Sequence, residues 1–172
     1  MKKQEIYYCP ICGYELPDYF GSGELCPCCF REAGCDDELC YDEIDGESRN
    51  QKYYEILDRE EIRKIIPDYK KKYNLEEYVP QEIVWDYLRA IWIKSGSPYT
   101  WDIVKKVRLE ELERGEDNYE DIYGYKVIDE PDWTKEKAYR QLKRIGVDAR
   151  EFIKSIWGEK NELYKEAVEI MK

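Results

Sequence analysis

Cys9-Pro-Ile-Cys12 and Cys26-Pro-Cys-Cys29 form two CxxC pairs near the start of a 172-residue chain, and their type and spacing suit metal chemistry. In such a pair both thiolates lie on one tight turn. Two pairs facing each other supply a tetrahedral S4 set, which suits zinc or a single iron. Gly13 after the first pair tolerates left-handed backbone, and Pro10 and Pro27 fix φ at the entry to each turn. Cys9, Cys12, Cys26 and Cys29 are therefore the candidate ligands for one Zn2+ per chain, with iron as the alternative metal. Cys28 occupies an inner position of the second pair, and a rival ligand set would use Cys28/Cys29 instead. Cys35 and Cys40 read as two free or packed thiols; a second metal site there would need Cys28 or an acid to join.

Other chemistry is largely excluded. The chain has 0 histidines, which rules out a Ser-His-Asp triad, a Cys-His dyad and an HExxH zinc site. There is no P-loop, GxGxxG or GxSxG motif. A four-thiolate zinc site is coordinatively closed and leaves no position for a water nucleophile, so no enzyme is expected. The acidic run DDELCYDEIDGES fails as a calcium loop: with Gly46 at the glycine position, Tyr41 stands first and Lys52 replaces the bidentate glutamate. The 7 cysteines are an odd number, awkward for a disulfide framework. MKKQEIYYCP shows no apolar leader and no run is long enough for a membrane span, so a cytoplasmic, reducing setting is expected.

Net charge is −11 and unevenly spread. Residues 1–46 carry 3 basic and 11 acidic side chains, giving −8; the other 126 carry 25 and 28, giving −3. An acidic surface repels phosphate backbones and attracts cationic partners, which disfavours direct nucleic-acid binding. Asp36, Asp37, Glu38, Asp42, Glu43 and Asp45 are the candidate partner-binding charges.

The elements that position these groups follow from the hydrophobic periods. GYELPDYFGSGEL, between the two pairs, reads as a strand, a turn and a return strand, a zinc-ribbon hairpin. A composition break near Gly46-Glu47-Ser48 divides the chain into a ribbon module at 1–46 and a mainly helical domain at 47–172. Tyr54, Ile62, Ile65, Ile66 and Tyr69 share one helical face, interrupted at Pro67. After Pro80, Ile83, Val84, Tyr87, Leu88, Ile91 and Trp92 form a broad apolar stripe closed by Ser95-Gly96. Ser97-Pro98 reads as an N-cap and first turn of a helix from about Tyr99 to Arg114, stopped by Gly115. Residues 119–130, YEDIYGYKVIDE, suggest one or two short strands. Three further helices should start at Thr134, at Asp148 and near Asn161, the first ending at Gly146. Trp92 and Trp157 have core spacing; Trp85, Trp101 and Trp133 could belong to a core or to a binding surface. The expected fold class is α+β: an N-terminal four-cysteine zinc ribbon, then a mainly α-helical domain with one or two short strands.

Over residues 7–38 the chain resembles the bacterial cysteine-rich CPCC proteins, in which a CPxCGY knuckle precedes a CPxCxWEDD-like one. The matching residues are Cys9, Pro10, Cys12, Gly13, Tyr14, Cys26, Pro27, Cys29, Glu32, Asp36 and Asp37. The doubled cysteine sits in the second knuckle instead of the first, and Arg31 stands where that family has tryptophan. Some members look like immunity proteins encoded beside polymorphic toxins. The resemblance and the charge together imply an immunity-type inhibitor that neutralises a basic toxin or nuclease domain. A regulatory or adaptor zinc-ribbon protein, for instance transcription-associated, is the alternative. The segment is also similar to rubredoxin-like knuckles, which would imply iron and electron transfer. The helical partner domain of rubrerythrins needs histidines that this chain does not have.

Overall fold

A computed structural model describes residues 5–21, 23–44, 56–66, 77–115 and 130–172. The expected faces at Tyr54 and Tyr69, and the strands at 119–129, lie outside the described residues.

The chain is helix-rich, and its one sheet among the described residues has two strands, β1 (Tyr7–Tyr8) and β2 (Glu15–Leu16). They pair antiparallel, Tyr7 opposite Leu16 and Tyr8 opposite Glu15. This differs from the expected hairpin. β2 turns back across the first CxxC pair, and a second antiparallel bridge joins Leu25 to Glu32 around the other pair. Each CxxC turn reverses the chain by itself, so each closes its own ladder.

The seven α-helices found among the described residues follow local signals at most ends. A four-residue α1 (Tyr41–Ile44) follows the acidic run. There Leu39 and Glu77 accept from the amides of Val79 and Tyr41, tying the end of the acidic run to the chain entering α3. α2 (Arg59–Ile65) opens on a capping box: Asp58 accepts from the Glu60 and Glu61 amides, and Glu61 reaches back to the Asp58 amide. α3 (Gln81–Lys94) buries Val84, Tyr87, Leu88 and Ile91 at helical spacing, and also Arg89, Ala90, Trp92 and Ile93. A helix buried on so much of its circumference lies at the centre of a core, not on its rim. α4 (Thr100–Glu113) ends before Gly115, where φ is +73°. α5 (Lys135–Gln141) starts at the Thr134 cap and continues as a 3-10 turn over Leu142–Ile145, stopped by left-handed Gly146. α6 (Ala149–Trp157) and α7 (Glu162–Ile170) are capped by Asp148 and Asn161.

The start of α4 is a correction. Ser97 does not cap it: Ser97 sits at φ +52° with its hydroxyl buried, and the helix begins at Thr100. The first free amides, of Thr100 and Trp101, donate to the Cys28 and Pro27 carbonyls. Carbonyls from the second CxxC turn satisfy the orphan donors that a serine would otherwise have taken.

α6 packs on α7, and α2 packs on α3 and α6. Buried Glu61 joins these helices, accepting from Lys94 Nζ on α3 at 2.6 Å and from Trp157 Nε1 on α6 at 2.6 Å. One cluster of buried side chains contains Cys9, Ile11, Cys26 and Cys29 together with Tyr87, Leu88, Tyr139, Leu142 and Ile153. No helix among the described residues is long and apolar enough to cross a membrane.

Candidate metal centre

The two CxxC turns share one backbone pattern. The Cys9 amide donates to Tyr14 O and the Gly13 amide to Cys9 O; the Cys26 amide donates to Arg31 O and the Phe30 amide to Cys26 O. In each turn the residue after the second cysteine is left-handed, Gly13 at φ +77° and Phe30 at φ +57°. Glycine adopts that conformation freely, while for phenylalanine it costs roughly 1–2 kcal/mol. Phe30 stacks on Trp101 with centroids 6.3 Å apart, which holds the less favourable copy in place.

These turns bring the Sγ atoms of Cys9, Cys12, Cys26 and Cys29 within 4.8 Å of one another. Cys9 Sγ lies 3.7 Å from Cys29 Sγ, and Cys12 Sγ 3.6 Å from Cys26 Sγ. A regular tetrahedron with metal–sulfur bonds of about 2.3 Å has edges of about 3.8 Å. Two of the six edges match that length and all lie within 4.8 Å, so the donor set fits a tetrahedral divalent ion. Cys9, Cys12 and Cys26 are fully buried, and Cys29 is 6% exposed beside a cavity of about 530 Å3.

Without an ion, burial pushes the Cys12, Cys26 and Cys29 thiols well above their ordinary range. Burial raises Cys9 too, but hydrogen bonds from Cys12, Cys26 and Cys29 outweigh it and bring Cys9 well below that range. Holding all four as thiolates needs the compensating charge of a cation. Zinc bound here would organise the fold; iron would supply one-electron chemistry.

Helical residues reach the centre from the other side. Arg89, 4% exposed, donates from Nε to Ile11 O at 2.8 Å and from Nη2 to Pro10 O at 2.7 Å. It also pairs with Asp86, and its guanidinium lies 5.2 Å from the centre of the Phe152 ring. Burial lowers the Arg89 pKa, while Asp86 and the Cys9 and Cys12 charges push it back up. Gln141 Nε2 donates to Cys12 O at 2.8 Å and approaches Cys28 Sγ at 3.6 Å. Arg144 Nη1 reaches Gly13 O at 3.4 Å. Arg89 and Gln141 are each a polar residue within an apolar helical face, which marks them as buried but does not say what they bind.

Cys28 is buried outside the four-sulfur group, and all 7 cysteines are free of disulfides. Cys35 is exposed and Cys40 half-buried. The acidic candidates separate. Asp37 is a correction: it is 2% exposed, and its carboxylate accepts from the Gly34 amide, Gln81 Nε2 and Trp85 Nε1. It holds the acidic run onto α3 and presents no free charge. Asp36 accepts from the Glu32 amide, and Glu43 from the Cys40 amide. Glu38 is exposed; the Asp42 side chain and Asp45 lie outside the described residues. Of the uncertain tryptophans, Trp101 is buried, while Trp85 and Trp133 are half-buried with their indole N–H groups donating to Asp37 and Ser97 O.

No family model matches the chain, and neither a curated protein nor a solved structure is significantly similar to it. The fold and the sulfur geometry define a class: a helix-rich protein with four clustered cysteines able to hold a metal ion.

Proposed function

We propose that the chain is a non-enzymatic zinc protein that acts by binding another protein, as an immunity-type inhibitor neutralising a basic toxin or nuclease domain. The observation that carries the metal half is the buried set of four sulfurs within 4.8 Å of one another. A centre with four thiolate ligands and no open position supports a structural role. The partner half is supported by the −8 balance of residues 1–46 and by the resemblance over residues 7–38. A field of that sign draws in a cationic protein and speeds its capture.

Two measurements test the two halves separately. Elemental analysis of the purified, colourless protein should give one zinc per chain. A toxin or nuclease domain encoded beside this gene should lose activity on mixing, with an association rate that falls as salt rises. Zinc with no inhibited partner would leave the regulatory or adaptor reading. Iron-thiolate colour would favour rubredoxin-like electron transfer, to which the paired, similarly bonded CxxC turns are also suited.

A further inference from the structure

On one face of Lys135–Ile145, Lys137, Arg140 and Arg144 border a cavity of about 360 Å3 with Tyr14, Trp133, Gln141 and Glu130. Three cations against two carboxylates, Glu130 in the wall and Glu136 on Arg140, leave this site locally positive in a chain of net charge −11. The cations are only partly committed. No carboxylate lies within ion-pair distance of Lys137 among the described residues. Arg140 pairs through Nε with exposed Glu136, which engages one of its five donors. Arg144 spends Nη1 on Gly13 O and lies over the Tyr8 ring at 5.5 Å.

The other walls set what such an anion would be attached to. The Trp133 indole N–H is taken by Ser97 O, and the Tyr14 hydroxyl donates to Glu130 at 3.1 Å. Half-buried Trp133 therefore offers ring surface to a ligand more than a hydrogen bond, and buried Tyr14 backs it. Tyr14, Tyr99 and Trp133 pack together at 5.5–6.5 Å between centroids, so that surface is rigid. Glu130 is an acceptor at the edge of the same cavity.

We propose that this cavity binds a small phosphate monoester carrying a ring with hydroxyl or amino groups, of sugar-phosphate or mononucleotide size. The phosphate lies among Lys137, Arg140 and Arg144, the ring against Trp133, and a ring hydroxyl or amine donates to Glu130. Cations with several N–H donors suit phosphate oxygens, and a carboxylate suits a sugar hydroxyl. The proposal does not rest on the metal or on the protein partner proposed above, although Gln141, Arg144 and Tyr14 in the wall of this cavity also hydrogen-bond the first CxxC turn.

Calorimetric titration of the metal-loaded full chain tests this, with AMP, glucose 6-phosphate, inorganic phosphate and adenosine as probes. Saturable binding of AMP or glucose 6-phosphate is expected, with phosphate and adenosine each weaker by about tenfold or more. Lys137→Glu with Arg140→Glu, both at exposed positions, should weaken that binding by at least about tenfold and leave the metal content unchanged. Glu130→Gln, which keeps the shape but loses the charge, should weaken it less. Three results overturn the proposal: no saturable heat from either ester, binding no tighter than phosphate alone, or binding that survives in the double variant.

Discussion

Gly13 carries two constraints at once. Its φ is +77°, and a Cβ there would stand 2.3 Å from Gln141 O. Gly23, at φ +83°, has open space around the same position. Gly13→Ala should cost about 2–5 kcal/mol, combining left-handed strain with overpacking, against roughly 1–2 kcal/mol for Gly23→Ala. Denaturant unfolding of the two metal-loaded variants checks this; equal losses would mean that the contact with Gln141 is easily relieved. Arg89→Met removes both donors from the Pro10 and Ile11 carbonyls, so metal affinity should fall by about 10–100-fold in chelator competition. Wild-type affinity in that variant would reduce Arg89 to packing. Serine at Cys9, Cys12, Cys26 or Cys29 should lower metal content, whereas Cys28→Ser should keep it. The four sulfurs were legible because CxxC spacing is a local code. Arg89 was not, because nothing local says which carbonyls, 78 and 79 residues away, a buried guanidinium will meet.

Helix caps are the element-scale features that the sequence states most clearly, and Thr134, Asp148 and Asn161 all cap as expected. Asp148 accepts from the Arg150 and Glu151 amides, and replacing a cap of this kind by alanine costs about 1 kcal/mol. The Arg150 side chain, opposed by burial and aided by those two amides, holds the Asp148 carboxyl below its ordinary range. A lowered folded pKa gives stability that is present above the unfolded value, about 3.9, and lost as pH falls through the folded one. The stability gap between wild type and Asp148→Ala should therefore be full at neutral pH and shrink below about pH 4. A gap that stays constant through that range would assign the effect to helix propensity. Ser97 and the ribbon hairpin were misread for a shared reason. Serine before proline and a Gly-Ser-Gly turn are good local signals, but the CxxC turns supply both a stronger chain reversal and the carbonyls that start α4.

At the scale of the molecule, the four-cysteine centre is a wall of the helical core. Arg89, Gln141, Thr100 and Trp101 all donate to carbonyls of the two CxxC turns. Removing the metal should disturb α3 as well as the turns, because a buried guanidinium loses the acceptors that justify its burial. Hydrogen exchange before and after chelation checks this: α3 amides should lose protection together with residues 9–30. Unchanged α3 protection would make the ribbon at 1–46 a module that unfolds alone. The hydrogen bond from Gln141 to Cys12 spans 129 residues, and it bears on the order in which the chain is made. At about 5–20 residues per second, the cysteines leave the ribosome several seconds or more before the helix that closes over them. Metal can enter an open site during synthesis. In the finished protein an ion held by these sulfurs would lie against turns whose carbonyls Arg89 and Gln141 bind, so its exchange should follow the opening of the helical core more than the chemistry of sulfur.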